Sequence, residues 1–308
     1  MNSLKKIFKY IIDKNYRFLV KNYLGLYVSM EDEEFLKKMY KIRMGKDLDL
    51  DNPQTFNEKL QWLKLYDRNP LYTKMVDKYE VKKYVADIIG DEYVIPTLGG
   101  WDSFDDIDFE ELPDKFVLKC THDSGGLVIC KDKKNLNKKE AREKLNKSLA
   151  RNFYLLGREW PYKNVKPRII AEKYMEDSET AELRDYKFLC FNGEVKCSFV
   201  CSDRFSEKGL HVTFFDKEWN VMPFDRHYPR VKEGLPKPTN YEKMIELAEN
   251  LSKNIPFVRV DFYEVDGQIY FGELTFYPGN GMEEFDPEEW DYKLGEWITL
   301  PDKKTEQK

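Results

Sequence analysis

The sequence predicts an α+β fold. Residues 31–92 carry apolar side chains at helical spacing. Beyond them, short runs of β-branched and aromatic residues flank turns, and the clearest turns are Asn192-Gly193 and Asp266-Gly267. Because such turns join neighbouring antiparallel strands, we expect helices combined with antiparallel hairpins.

Size and composition exclude few classes of function. The chain of 308 residues is long enough for one large domain or about two to three subdomains. Its 51 Lys and Arg residues face 56 Asp and Glu residues without a long basic block, which argues against nucleic acid as a partner. Five Cys without a Cys-x-x-Cys pair indicate reduced structural thiols and a cytoplasmic location rather than a zinc site.

Residues 1–22 predict an amphipathic helix. Six Lys or Arg residues against Asp13 give this segment a net charge of +5, and its apolar residues recur at helical spacing. Those apolar residues are Leu4, Ile7, Phe8, Ile11 and Ile12. Two interpretations stay open, because such a helix can rest on the inner face of an anionic membrane or pack on the protein. Charges interrupt the apolar residues, so neither a secretory signal nor a membrane span is expected.

The helical part is followed by a strand, a glycine loop and a second strand. One helix begins at Phe56 behind Asn52-Pro53-Gln54-Thr55, and another runs through Met75 and Ile88 to end near Gly90. Strand character begins at residues 93–96. Residues 116–119 and 127–130 then predict two paired strands around a loop at residues 121–126.

The remaining elements alternate between helix and hairpin. A helix through Ala141, Leu145 and Leu149 precedes a strand at residues 168–172. The later predicted elements are a hairpin of residues 185–191 and 194–201, a strand at 211–215, a Pro-rich loop at 229–238 and a helix at 241–254.

The hairpin around Asp266-Gly267 places charged residues in two otherwise apolar strands. Arg259 and Asp261 lie in its first strand and Glu273 in its second. A turn of two residues would direct Asp261 and Glu273 to opposite faces, because side chains alternate along a strand.

We expect instead a type I turn whose Gly267 takes the left-handed position of a G1 bulge. The added residue places Asp261 opposite Glu273, and Arg259 opposite Thr275. Facing carboxylates repel each other unless a cation lies between them. The natural candidate is Mg²⁺, which takes oxygen ligands from carboxylates and from substrate phosphates.

Two further segments contain residues suited to a nucleotide. Lys119 ends a strand before the small residues Ser124-Gly125-Gly126, where backbone N–H groups could approach phosphate oxygens. This loop matches neither the P-loop nor the dinucleotide-binding pattern, so a plain hairpin turn stays an alternative. Glu172-Lys173-Tyr174-Met175 leaves an apolar strand and by itself would pass as a solvated strand end.

In chain order, these segments resemble the nucleotide site of the ATP-grasp superfamily, from about Asp77 to Gly281. The matching segments are Asp77-Lys78, Phe116-Val117-Leu118-Lys119, Ser124-Gly125-Gly126, Glu172-Lys173-Tyr174-Met175, Arg259-Val260-Asp261 and Glu273-Leu274-Thr275. More narrowly, residues 57–61, 119–126 and 271–276 look like the TupA-like branch, named for teichuronopeptide biosynthesis.

The resemblance implies a role for each matching residue. Lys78 and Lys119 would contact ATP phosphates or the adenine edge, and Ser124, Gly125 and Gly126 would cover the phosphates. The adenine and ribose contacts would come from Glu172, Lys173, Met175 and Glu179. Asp261 and Glu273 would bind Mg²⁺, with Thr275 in place of the usual Asn, while Arg259 would neutralise the transferring γ-phosphoryl group. Arg184, Lys187 and the loop at residues 278–281 would bind the acceptor carboxylate or the intermediate.

The resemblance also implies an ATP-grasp fold, in which two α+β subdomains clasp ATP behind a helical N-terminal region. We expect the helical region at residues 1–92, a small lid subdomain at 93–175 and a metal-binding subdomain at 176–308. The implied activity is that of an ATP-dependent carboxylate–amine ligase, which forms an amide through an acyl phosphate. Its partners would be an amine or amino acid and a carboxylate-bearing sugar of a capsular or cell-envelope polysaccharide.

Two other functions stay open from the sequence. A metal-dependent glycosyltransferase would use the same carboxylates, although no Asp-x-Asp motif is prominent. It would release a nucleoside diphosphate from a sugar nucleotide without consuming ATP. A non-catalytic nucleotide-binding protein would bind ATP tightly and turn over no substrate.

Overall fold

The computed structural model describes residues 3–178, 183–202 and 209–303. Its helices are α1 (Ser3–Ile12), α2 (Lys14–Tyr23), α3 (Asp32–Met44), α4 (Phe56–Tyr66), α5 (Leu71–Val76), α6 (Glu80–Ile89), α7 (Lys138–Leu149), α8 (Tyr154–Gly157), α9 (Tyr241–Leu251) and α10 (Glu289–Glu296). Its strands are β1 (Thr97–Trp101), β2 (Phe116–Cys120), β3 (Leu127–Cys130), β4 (Ile169–Lys173), β5 (Asp185–Phe191), β6 (Glu194–Ser202), β7 (His211–Phe215), β8 (Asp225–Arg226), β9 (Phe257–Val265), β10 (Gln268–Thr275) and β11 (Phe285–Asp286).

The strands form two main antiparallel sheets, which confirms the α+β prediction. The four-stranded sheet has the order β1-β4-β2-β3, and the five-stranded sheet has the order β10-β9-β5-β6-β7. The strands β11 and β8 form a separate two-stranded ribbon, and Phe285 of β11 packs in the core of the five-stranded sheet. The hairpins β2–β3 and β5–β6 occur where turn chemistry predicted them.

Two hydrophobic clusters support the two sheets. The smaller one packs α7 against the four-stranded sheet. The larger one joins the five-stranded sheet to α9 and also to α3, α4, α5 and α6. The helical region therefore shares its core with the five-stranded sheet, and the domain boundaries given above stay predictions.

The helix α4 begins at a capping box. Thr55 Oγ1 accepts the backbone N–H of Glu58 at 3.2 Å, and the Glu58 carboxylate accepts the backbone N–H of Thr55 at 3.0 Å. These two bonds satisfy N–H groups that have no partner inside the helix. The capping box fixes the start of the helix that carries Gln61 and Lys64 into the core.

The first two helices differ in how they meet the rest of the chain. Phe18 of α2 is buried, and its ring stacks on Tyr27 at a centroid distance of 4.6 Å. The apolar side chains of α1 that the structure describes, such as Ile7 and Ile11, are exposed. Packing of this face on the protein, one of the two interpretations left open, is therefore not observed for α1. No helix within the described ranges is long and apolar enough to cross a membrane.

Two local predictions are wrong. The helix predicted through Met75 to Ile88 is interrupted at Asp77, because its carboxylate accepts the backbone N–H of Tyr79 at 2.8 Å and starts a new helix. Residues 93–96 are not a strand. Instead, a 3₁₀ turn spans Asp91–Tyr93, and β1 begins at Thr97.

The turn of the β9–β10 hairpin is not the predicted type I turn with a G1 bulge. The predicted pairing of Asp261 with Glu273 and of Arg259 with Thr275 is nevertheless observed. Asp266 and Gly267 both have positive φ, at 50° and 75°, as in a two-residue type I′ turn. The extra residue is at Gly272, where the register shifts and brings Glu273 opposite Asp261. A Cβ atom on Gly272 would lie 3.1 Å from the Asp261 carbonyl oxygen, so glycine suits this close approach.

Candidate active site

The site is organised around a guanidinium that bridges two carboxylates. Arg259 donates from Nε to Asp261 Oδ1 and from Nη2 to Asp261 Oδ2, each at 2.7 Å. The same Nη2 donates to Glu273 Oε1 at 2.6 Å. The neighbouring strand β5 adds Lys187, whose Nζ lies 2.5 Å from Asp261 Oδ2 and 2.6 Å from Asp185 Oδ2. Two strand pairings thus bring these five side chains together.

These charges stabilise each other in a buried position. Burial alone would raise the pKa of Asp261, but Arg259 and Lys187 hold it below its usual value. Burial alone would lower the pKa of Lys187, yet Asp261 raises it above its usual value. Asp261 and Lys187 are therefore both ionised at neutral pH. Removal of either partner would leave the other with one opposite charge, Arg259 for Asp261 and Asp185 for Lys187.

The oxygen donors are of the type that a hard divalent cation takes, but both Asp261 oxygens are bonded to Arg259 in this structure. Asp261 and Glu273 lie on facing positions, and Thr275 Oγ1 is 3.5 Å from Glu273 Oε1. The Glu273 side chain is 42% exposed, so it remains accessible to a ligand. In the described parts of the chain, no group of three or more His, Cys, Asp or Glu residues could hold a metal. Two carboxylates are enough for Mg²⁺ when water and phosphate oxygens supply the other ligands.

A second group of charges lies on the four-stranded sheet. Glu172 of β4 is buried, and its two carboxylate oxygens lie 2.7 Å from Lys82 Nζ and 2.5 Å from Lys119 Nζ. Burial alone would raise the pKa of Glu172, but Lys119 and Lys82 hold it below its usual value. The resemblance had singled out Glu172 and Lys119 but not Lys82. The available signal was its position four residues after Lys78, in the first turn of α6.

Lys78 connects the two groups of charges. Its Nζ donates to the Asp123 carbonyl oxygen, and its backbone N–H donates to the Thr121 carbonyl oxygen at 3.1 Å. Burial lowers its pKa, whereas Glu273 and Glu172 act in the opposite direction. Lys78 is therefore within electrostatic reach of both carboxylates, which belong to different sheets.

The glycine loop is a hairpin connection with an ordered base and an open tip. Asp123 Oδ1 accepts the backbone N–H of Gly126 at 3.0 Å, and a Cβ on Gly126 would lie 2.6 Å from Cys120 Cβ. Gly126 is therefore required for packing. Ser124 and Gly125 are exposed, and a Cβ on Gly125 would meet only Asp123, at 3.8 Å. These two residues remain available to a ligand.

The other predicted residues that the structure describes lie close to the ends of β4 and β5. Met175 is half-buried just beyond β4. Lys173 is exposed, and its backbone N–H donates to the Pro96 carbonyl oxygen at 3.0 Å. Arg184 lies beside the Tyr186 side chain, next to the start of β5. Glu179 lies outside the described residues, and its ribose role stays a prediction.

A buried lysine of α4, Lys64, binds the loop at residues 278–281 that follows β10. The sequence did not single out this lysine. Lys64 Nζ donates to the carbonyl oxygens of Gly157 at 3.1 Å and Asn280 at 2.8 Å. Gln61 Nε2 donates to the Gly281 carbonyl oxygen at 2.6 Å. These bonds fix residues 278–281, in which Gly279, Asn280 and Gly281 have φ near 60°. An amphipathic α4 gave no reason to expect a functional lysine on its buried face.

A surface cavity of about 550 Å³ reaches the edge of this region, where Lys82, Ile95 and Pro96 line it. A cavity of about 610 Å³ lies at the β8–β11 ribbon, where residues such as Met44, Asp225 and Asp286 line it. None of the charged residues described above lines that cavity. The candidate site therefore rests on side-chain geometry.

Comparison with known proteins identifies a family. The model of the TupA-like ATP-grasp family matches residues 58–299, which is most of the chain. No curated protein shows a significant match.

Solved structures show weaker likenesses. D-alanine–D-alanine ligase from Bacillus anthracis, solved with ATP, has a TM-score of 0.40 and 16% identity, over 73% of this chain and 63% of that protein. An N5-carboxyaminoimidazole ribonucleotide synthetase, solved with ADP, has a TM-score of 0.42 and 16% identity, over 78% of this chain and 56% of that protein. The matched region is thus less than two thirds of each relative, and the family assignment rests on the sequence match.

Proposed function

The chain belongs to the TupA-like ATP-grasp family, and on that premise we propose that it is an ATP-dependent carboxylate–amine ligase. ATP would phosphorylate a carboxylate, giving ADP and an acyl phosphate, and an amine would then displace phosphate to form an amide. The observation that carries the proposal is the Arg259 bridge between Asp261 and Glu273. Such chemistry depends mainly on positioned charges, and the site supplies them in pairs.

Each charged residue has a part in this proposal. Asp261 and Glu273 would hold Mg²⁺, with the Thr275 hydroxyl as a further oxygen. The metal would neutralise and orient the phosphates when it is bound. Arg259 would neutralise charge on the transferring γ-phosphoryl group, and Lys187 keeps the Asp261 carboxylate ionised and oriented.

The nucleotide would lie between the two groups of charges. Lys78 and Lys119 would contact its phosphates or adenine edge under the exposed tip Ser124-Gly125. Glu172, Lys173 and Met175 would line the adenine pocket, and Glu179 would hold the ribose. The position of Lys78, within reach of carboxylates on both sheets, supports this placement.

The substrates follow from the family's association with acidic polysaccharides. The carboxylate would come from a sugar of a capsular or cell-envelope polymer, and the amine from an amino acid or a simpler amine. The reaction would take place in the cytoplasm.

The test is an assay of ADP and phosphate release over a panel of uronates and amines, with product identification by mass spectrometry. We expect release only when both substrates are present. Glu273→Gln should lower kcat by a factor on the order of 100, because it removes a charge from the site. Glu194→Gln, at an exposed ion pair with Lys196, is the matched control and should keep full activity.

Three outcomes would contradict the proposal. Full activity in Glu273→Gln would remove the metal role. Release of a nucleoside diphosphate from a sugar nucleotide without ATP would indicate a glycosyltransferase. Tight ATP binding without turnover of any substrate would indicate a non-catalytic protein.

A further inference from the structure

The apolar face of α1 is exposed. Ile7, Phe8, Ile11 and Ile12 are each between 56% and 64% exposed, although they recur at the spacing that normally packs against a core. Four adjacent large apolar side chains on one helix face form a contiguous patch rather than scattered surface residues. Such patches usually mark a binding surface for a protein or a membrane.

The segment after α2 adds a second group of exposed apolar residues. Tyr23, Leu24, Leu26 and Val28 are between 59% and 63% exposed. They belong to a turn region around Gly25, whose φ is +72°. The apolar surface therefore consists of one helix face and one turn within residues 7–28.

This segment is attached to the rest of the protein through α2. The Phe18 ring stacks on Tyr27 and lies 5.9 Å from the Phe35 ring, and Asn22 Nδ2 donates to the Leu156 carbonyl oxygen at 3.1 Å. The helix α1 is thus exposed, while the next helix, α2, packs on the rest of the protein. A ligand on this surface would be held next to the folded protein.

The charges of the segment favour a negatively charged partner. Lys5, Lys6 and Lys9 are exposed on α1, and Lys14 follows at the start of α2. On a helical projection Lys6 and Lys9 lie away from the apolar face, and Lys5 borders it next to Ile12. An apolar stripe beside lysines is the pattern of helices that lie in the interface of anionic membranes. Each Lys near such a surface is attracted by the negative charge of its lipids.

We propose that residues 3–28 are a docking surface for an anionic lipid bilayer, with α1 in the plane of the interface. The apolar face of α1 and the turn at residues 23–28 would enter the headgroup region, and the lysines would contact lipid phosphates. This arrangement goes beyond the proposed ligase activity and does not depend on it.

The test is flotation of the full chain with vesicles of phosphatidylcholine alone or with added phosphatidylglycerol. We expect binding only to the anionic vesicles, and weaker binding at high salt because the charges are screened. The double substitution Ile7→Ser and Ile11→Ser should lower the partition coefficient into anionic vesicles by about tenfold or more, since it removes two apolar side chains that would be buried in the bilayer. The control Ile88→Ser changes an exposed Ile of α6 and should bind as the parent does.

Either of two results would overturn the proposal. One is the absence of binding to anionic vesicles at low ionic strength, and the other is unchanged binding by the Ile7 and Ile11 variant. If light scattering instead shows a dimer that this variant disrupts, the occupant of the surface is a second copy of the chain. Circular dichroism of the variants separates loss of binding from loss of folding.

A different observation concerns Arg226, which is buried beside the candidate active site. Its Nε lies 3.1 Å from Glu283 Oε2, while its Nη1 is buried without a hydrogen-bond partner in the described residues. Its guanidinium carbon lies 4.8 Å from the centroid of the Phe199 ring, and that of Arg259 lies 5.9 Å from the same centroid. A buried donor without a partner is unfavourable unless a ligand satisfies it.

The other member of this ion pair also lies close to the site. The Glu283 side chain packs against Gly279, in the loop that follows the strand of Glu273 and Thr275, so that a Cβ on Gly279 would collide with it. Its side chain is 26% exposed, which leaves a route to solvent. Glu283 of this pair thus contacts the loop at residues 278–281. Arg226 lies near the Phe199 ring, which is also near Arg259.

The geometry points to the Arg226–Glu283 pair as the binding site of a zwitterionic α-amino acid, the amine donor of the proposed reaction. The guanidinium would bind its carboxylate, and the Glu283 carboxylate would bind its ammonium group and accept one proton from it. The free amine would then attack the carbonyl carbon of the acyl phosphate and release phosphate. This inference rests on the proposed function, and it selects an amino acid over a simple amine.

The test compares an α-amino acid with the amine that lacks its carboxylate. Arg226→Lys should raise KM for the amino acid by about tenfold or more and leave KM for ATP unchanged. Glu283→Gln should likewise raise KM for the amino acid and leave KM for ATP unchanged. The simple amine should be a poor substrate, and Arg226→Lys should leave the KM for that amine unchanged. The control Arg230→Lys alters a half-buried arginine that pairs with Asp225 and should change neither constant.

Two results separate this inference from the proposed function. If the parent protein turns over ATP with amino acids and both variants keep its KM, only the Arg226–Glu283 site is wrong. If no substrate pair gives turnover, the ligase proposal fails, and calorimetric titration of the parent and the variants with amino acids still tests the site. Absence of binding, or equal binding by all variants, would overturn it.

Discussion

At the scale of single residues, Gly272 decides which side chains meet in the active site. The register of β9 and β10 shifts there, so that Asp261 faces Glu273. We expect Gly272→Ala to displace Asp261, because the new Cβ would lie 3.1 Å from its carbonyl oxygen and 3.2 Å from the Tyr263 ring. Kcat should fall by about tenfold, and the free energy of unfolding by about 1–2 kcal/mol.

Steady-state kinetics and urea unfolding would measure these two effects. Gly100→Ala is the control, because its Cβ would touch only the edge of the Tyr79 ring, at 3.3 Å, and the nearby Ile170. A Gly272→Ala variant with the kinetics of the parent would show that the bulge does not set the position of the carboxylates.

Lys64 gives a prediction about pH. Burial lowers the pKa of Lys64 from 10.5 to about 7, and Glu159 acts in the opposite direction. Between pH 7 and pH 10.5 the unfolded chain binds more protons at Lys64 than the folded chain does. Lys64 therefore makes the free energy of unfolding rise as the pH rises above 7. Lys64→Met removes that contribution and also the bonds to Gly157 and Asn280. The variant should be less stable by about 3 kcal/mol, and its deficit should widen as pH rises above 7.

Urea unfolding of both proteins across this pH range measures the difference. Lys83→Met, which changes an exposed lysine paired with Asp87, should show a small difference that stays constant with pH. A deficit of Lys64→Met that narrows with increasing pH would contradict the lowered pKa.

At the scale of elements, the capping box of α4 links helix stability to the active-site loop. Thr55→Ala removes the bond to the Glu58 backbone N–H and should lower the free energy of unfolding by about 1 kcal/mol. Thr73→Ala, inside α5, removes no cap and should be nearly neutral. Thermal or urea unfolding of the two variants gives the comparison, and equal stabilities would show that the cap contributes nothing.

The elements that the sequence predicted well have strong local signals. The Asn192-Gly193 turn and its flanking strands place β5 against β6 as expected. Residues 93–96 carry apolar side chains but form a single bridge, from Val94 to Phe271, because the extent of pairing depends on a partner strand that local sequence does not specify. Asp77 was recognised next to Lys78, but its role as a helix start was missed because the apolar spacing continues across it.

At the scale of the whole molecule, the proposed nucleotide site takes charges from both sheets. A ligand that contacts both sheets should stabilise the folded state, by about 2.7 kcal/mol at a concentration of 100 Kd. We therefore expect ATP with Mg²⁺ to raise Tm more than ATP with EDTA does. Glu273→Gln should lose the part of the shift that depends on the metal, because a carboxylate ligand is missing.

Differential scanning fluorimetry of the parent, Glu273→Gln and Glu194→Gln would test this expectation. The Glu194→Gln control should retain the full shift, since it alters an exposed pair away from the site. Equal shifts with Mg²⁺ and with EDTA in the parent protein would contradict metal binding by these carboxylates.

The sequence by itself determined the fold class and the order of the motifs, whereas the facing of Asp261 and Glu273 was expected from a turn that the structure does not contain. Turn residues, apolar spacing and the order of charged residues are local properties, so they can be read along the chain. The tertiary structure decided where the bulge lies, and it brought Lys82 to Glu172 and Lys64 to the loop at residues 278–281. It also decided that α1 keeps its apolar face exposed. These features depend on which distant segments pack together, and packing is set by the whole chain rather than by any one segment.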